Sequence, residues 1–125
     1  MTEPFKINIE KATLENNNYR KVIFTGEKIQ LVLMNLKGGE DIPLEVHHGI
    51  DQFIRVESGK ARVKIEKKDF ELGEDEIVII PAGKKHYVCN ASKSKDLKIY
   101  SIYSPPEHPK KTVHKTKKVS DESHH

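Results

Sequence analysis

The residues with the clearest chemical use lie in two stretches. The first is Glu45-Val46-His47 followed by Gln52; the second ends at His86. In an extended chain, side chains two positions apart share a face. Glu45 and His47 therefore project together, while Val46 and His48 point the other way. Gln52 opens the next strand after the turn His48-Gly49-Ile50-Asp51. Counting by two from Gln52 reaches Ile54 and Val56, an apolar set, so Gln52 faces inward. Pro81-Ala82-Gly83 then reverses the chain and delivers His86 to a strand in which Val88 and Asn90 share its face. Polar groups on inward faces must find partners. One carboxylate and two imidazoles suit a divalent metal ion and leave coordination positions open. The same side chains can instead satisfy one another as a hydrogen-bonded cluster.

The elements that must position these residues are strands and turns. Apolar or alternating runs are predicted as strands at 19–24, 31–36, 52–57, 61–65, 77–80 and 97–103, with FEL (70–72) closing a hairpin at Lys67-Lys68-Asp69. Turn residues such as Lys37-Gly38-Gly39, Ser58-Gly59 and Pro105-Pro106 separate them. No stretch before the tail carries a helical apolar period over ten residues. Many short strands between turns make an all-β sandwich or barrel. The expected division is a barrel domain over 1–103 and an arm over 104–125, extended or disordered, with prolines near its start.

The two stretches resemble the paired motifs of the cupins. The first cupin motif is a glycine, five residues, His-x-His, three or four residues, Glu, six residues, Gly. The chain has Gly39, five residues, Glu45-x-His47, four residues, Gln52, six residues, Gly59. The second motif is a glycine, five to seven residues, Pro-x-Gly, two residues, His, three residues, Asn. The chain has Gly73, seven residues, Pro81-x-Gly83, two residues, His86, three residues, Asn90. The resemblance spans a motif core of 39–90 and implies a jelly-roll barrel, a double-stranded β-helix.

Carried over position by position, the resemblance implies Glu45, His47, Gln52 and His86 as metal ligands. The usual first His is here Glu45, and the usual Glu is Gln52. The carboxylate has moved, so the ligand charge is unchanged. Gln52 would ligate through its amide oxygen or take a catalytic role, orienting water or substrate. One divalent ion is expected, with Fe, Mn, Ni, Co and Zn all compatible. His48 is expected on the surface. His108 and His114 lie in an arm resembling that of small single-domain cupins labelled mannose-6-phosphate isomerase-like. That arm would cover the barrel mouth, reach a partner subunit or stay disordered. Tyr87, Tyr100 and Tyr103 are read as strand packing, and Cys89 as a small packed hydrophobe.

Composition narrows the classes. Of the 125 residues 33% are charged and 35% hydrophobic, so the core is thin and the surface well solvated. No apolar run approaches the ~18 residues of a membrane span. The start MTEPFKINIEK lacks a secretory pattern, and a single Cys89 forms no internal disulfide, so a cytoplasmic setting is expected. Net charge is +3; five lysines against Glu107, Asp121 and Glu122 put +2 of it after Ser104. The body shows no basic stripe, and nucleic acid is not an expected partner. The closing Ser-His-His carries no weight. The expected activity is metal-dependent isomerisation, epimerisation or dioxygenation of a small oxygen-rich substrate, sugar-like or a hydroxy- or keto-acid. The alternatives are a non-catalytic cupin that binds a small ligand or metal, and an interaction protein acting through its Lys-rich arm. A homodimer is expected, with Phe53 at its contact or beneath the N-terminal segment.

Overall fold

Alternation dictates the architecture. A computed structural model describes residues 2–123; His124 and His125 of the closing Ser-His-His fall outside it. The strands are β1 (Arg20–Thr25), β2 (Gln30–Leu36), β3 (Asp41–Glu45), β4 (Asp51–Ser58), β5 (Ala61–Ile65), β6 (Lys68–Leu72), β7 (Ile77–Ile80), β8 (His86–Asn90), β9 (Leu97–Ser104) and β10 (Val113–His114). Two helices, α1 (Ile9–Glu15) and α2 (Lys117–Ser123), flank them. One sheet runs β10-β1-β2-β9-β4-β7 and the other β3-β8-β5-β6, with all pairings antiparallel. This is the jelly-roll barrel that the motif spacing implies.

The core lies between the sheets. Val32, Met34, Leu36, Ile54, Val56, Leu97 and Ile99 face Val63 and Val88, and all are essentially inaccessible. In β9 the inward row is Leu97, Ile99, Ser101 and Tyr103. The apolar run of β7 sits at a sheet edge, so only Val78 and Ile80 are buried, while Ile77 and Ile79 face outward. Among the described residues no helix is long and apolar enough to cross a membrane.

Two regions depart from the simplest sequence reading. The first is α1, seven residues, too short to display a period. Its determinants are local. The Asn8 side chain accepts the Lys11 N–H at 3.0 Å, and Glu10 sits in the positive first turn. It lies against β2, β4 and β9, while Phe53 stacks on Tyr100 on that outer face.

The second is the chain after Ser104. It is ordered as far as the described residues run, as an irregular strap followed by β10 and α2. Of the alternatives for this arm, cover over the mouth prevails because the barrel offers it buried polar partners. Gln30 Nε2 donates to the His108 carbonyl at 2.7 Å, and Gln30 Oε1 accepts from the Glu107 and His108 N–H groups at 3.1 and 2.9 Å. β10 then pairs with β1, and Arg20 Nη1 donates to Ser120 Oγ in α2. The strap thus folds over its own barrel mouth.

Candidate metal centre

Sheet register builds the site. On one sheet, Gln30 pairs with Tyr103 and Tyr103 with Gln52, giving a polar row across β2, β9 and β4. On the other, Glu45 pairs with His86 and His86 with Ile65 across β3, β8 and β5. Polar residues thus replace the apolar core at one end of the barrel.

Glu45 reaches that row through an irregularity. From the buried Ile42, strict alternation would turn Leu44 inward and Glu45 outward. The β3–β8 register shifts between Ile42 and Glu45, a stretch that includes Pro43. An extra residue in one strand reverses the parity. Leu44 is accordingly 65% exposed, and the Glu45 carboxylate turns to the site.

His47 lies beyond the end of β3, not within it as alternation predicts. The following motif holds it. Gly83 N–H donates to the His47 carbonyl at 3.0 Å, and Ala82 N–H donates to Asp51 Oδ1 at 2.8 Å. Gly83 adopts φ +82°, a conformation that favours glycine, so the Pro-x-Gly turn can dock there. The His47 ring lies 5.0 Å from that of His86 and edge-on to Tyr103 at 5.7 Å.

Glu45, His47 and His86 each offer a ligand atom, and those atoms lie within 4.8 Å of one another. Their environment suits a cation. The His86 Nδ1–H donates to the Lys84 carbonyl at 3.0 Å, which leaves Nε2 as the lone-pair nitrogen. His47 Nδ1 lies 3.3 Å from Glu107 Oε2, and its Nε2 lies 3.3 Å from Glu45 Oε2. Carboxylate or carbonyl partners on the far nitrogen of a ligand histidine fix its tautomer and raise its basicity. Gln52, expected as the fourth member, is 3% exposed and donates from Nε2 to Tyr103 Oη at 3.2 Å and Ser101 Oγ at 3.4 Å. Its Oε1 is buried without a hydrogen-bond partner, an oxygen that an ion, a water or a substrate hydroxyl would satisfy.

Glu107 escaped the sequence reading, and His108 and Tyr103, named there as arm and strand-packing residues, also belong to the site. Glu107 brings a second carboxylate from the strap. His108 packs edge-on against Tyr103 at 5.2 Å. Tyr103, read as strand packing, stands in the polar row between Gln30 and Gln52. Its phenol is held far above the usual tyrosine range, chiefly by burial, then by the Glu45 charge; nearby Arg20 opposes this and Glu107 adds to it. The alternation of Leu97–Tyr103 already placed this residue on the inward face; its pairing with Gln52 comes from the β4–β9 register.

The other candidates lie elsewhere. His48 is exposed, as expected. His114 Nδ1 lies 3.2 Å from Arg20 Nη1. Cys89 is on the β8 face opposite His86, its thiol pushed up by partial burial. The body does gather lysines in space, though not in sequence. A cleft of about 1110 Å³ outside the cluster is rimmed by Lys64, Lys67, Lys68, Lys84 and Lys85.

Comparison with known proteins agrees with this architecture. The cupin domain matches residues 32–103. The chain belongs to the cupin family. A crystal structure of BH2720 from Bacillus halodurans superposes on this cupin with a TM-score of 0.92 at 41% identity, covering 96% of this chain and 95% of that one. Protein YrkC of Bacillus subtilis (strain 168) is 45% identical over 121 residues, 92% of this chain and 64% of YrkC. The cupin therefore spans just under two-thirds of that relative's length. Mannose-1-phosphate guanylyltransferase ManC of Salmonella typhimurium is 35% identical over 71 residues, 57% of this chain and 15% of ManC.

Proposed function

We propose that this cupin is a metal-dependent enzyme acting on a small oxygen-rich substrate, a hydroxy- or keto-acid or a sugar, as an isomerase, an epimerase or a dioxygenase. The convergence of Glu45, His47 and His86 within 4.8 Å carries the reading. These three would hold one divalent ion. A bound ion of this kind polarises a substrate hydroxyl or carbonyl oxygen and stabilises charge developing on it. Gln52, with its unpartnered Oε1, takes a fourth position or orients substrate. Glu107 orients His47 from the far side of its ring.

Metal analysis of protein purified without chelator tests the reading. About one divalent ion per chain is expected, lost in a His47→Ala/His86→Ala double variant that keeps its β-sheet circular dichroism. A wild type that takes up no ion after loading with Fe, Mn, Ni and Zn salts would remove the proposal.

A further inference from the structure

Arg20 sits inside the barrel, 2% exposed. Its neighbours account for only part of it. Nη1 donates to Ser120 Oγ and to His114 Nδ1, and the guanidinium lies 5.4 Å from the Tyr19 ring centre. Its Nε–H is buried and has no partner. Among the described residues it forms no ion pair. Asp121, the nearby acid of α2, is engaged by Lys117, which also pairs with Asp41. A buried guanidinium N–H without an acceptor is costly unless something supplies one.

The place for that acceptor is a cavity of about 260 Å³, lined by Arg20, Pro43, Leu44, Glu45, Ser120 and Asp121. Glu45 is shared with the metal cluster, so one small molecule can touch both.

We propose that Arg20 is a specificity-determining residue that binds a carboxylate of the substrate through its unpartnered Nε–H. This rests on the metal-centre reading and narrows its substrate class to small hydroxy- or keto-carboxylates. A carboxylate fits better than a phosphate. Nη1 is already committed, which leaves the Nε–H as the donor for a small planar acceptor. Glu45 and Asp121 on the walls repel a dianion more than a monoanion, and Pro43 and Leu44 favour a short carbon skeleton. Pinning α2 and β10 to the barrel accounts for Nη1 but leaves Nε unexplained.

The test is a titration of isotope-labelled protein followed by nuclear magnetic resonance at the Arg20 Nε–H. In metal-free wild type, acetate should shift this signal saturably, with acetamide at least about ten-fold weaker. Followed at the backbone amides of Ser120 and Asp121, which line the same cavity, Arg20→Gln should abolish the preference and Arg20→Lys should not restore it. Ser120→Ala, which removes only the structural partner, should lower the melting temperature yet keep the preference. Equal responses to acetate and acetamide, or inorganic phosphate binding more tightly than acetate, would overturn the proposal. If Arg20→Gln fails to fold, the acetate–acetamide comparison in wild type still decides it. Repeating the titration after zinc loading separates the two readings. An acetate response in protein that takes up no zinc keeps the subsite and removes the metal centre. Bound zinc with a silent Arg20 does the reverse.

Discussion

The two histidines of the cluster are held in opposite ways. His86 stands on a strand, paired on both sides, and its outer nitrogen donates to the carbonyl of Lys84, two residues away. His47 stands past the end of a strand, and its outer nitrogen faces Glu107, supplied by the strap beyond β9. One is oriented by local backbone and the other by a distant side chain. The contrast teaches that the barrel supplies half of the centre on its own and needs the strap for the rest.

Substitutions can break that contrast or sharpen it. His86→Ala and His47→Ala each remove a ligand. Each should weaken metal binding by more than about 100-fold, measured by competition with a chelator, beyond the range typical of outer partners. Equal retention in either variant would dissolve the site. Glu107→Gln should cost about 10- to 100-fold in the same assay, because it disturbs only the orientation and basicity of His47. A smaller effect would mean that His47, like His86, needs no help from outside the barrel. Gln30→Ala leaves the Glu107 and His108 N–H groups and the His108 carbonyl without their partner. It should cost about 1–3 kcal/mol for each buried group left bare, read by denaturant melts. Its metal affinity should fall toward that of Glu107→Gln. An unchanged affinity would show that Glu107 holds its place without the strap's anchor.

The least disruptive test concerns the His86 side. Tyr87 donates to Asp41 Oδ2 and so ties β8 to β3. That bond, then burial, pushes its pKa up to about 12 from an ordinary 10. A raised folded pKa means that the stabilisation is complete below pH 10 and is lost as pH climbs from 10 toward 12. Burial raises Tyr19 and Tyr103 in the same direction. Tyr87→Phe should therefore flatten, without abolishing, the fall in melting temperature above pH 10. An unaltered slope would show that Tyr87 contributes nothing to that edge.

The contrast also explains what the sequence could disclose. Period-two alternation and turn residues are local, so the strands around Ile54, Val63 and Ile99 were legible, as was the inward face of Gln52. The motif spacing brought Glu45, His47 and His86 together correctly, though for a partly different reason. The parity of Glu45 comes from a register shift near Pro43, and His47 is placed by the carbonyl it offers Gly83. Neither leaves a mark in alternation. The roles of Glu107, Tyr103 and Arg20 were missed because they depend on which strands become neighbours. Which course the strap takes was hidden because its stabilising partners, Gln30 and Arg20, read as ordinary polar residues near the starts of apolar strands.

The Gln30 anchor has a consequence for motion. Residues 105–112 are fastened at the mouth by hydrogen bonds to Gln30, the Glu107–His47 contact, the packing of His108 on Tyr103, the Val22–Thr112 bond and the short β10 ladder. These contacts are few beside the ladders of β2 and β9, so the strap should lift before those strands part. Its amides should exchange with deuterated solvent well before those of Val32 or Ile99, and the frequency of that breathing would set how fast a molecule enters or leaves the barrel.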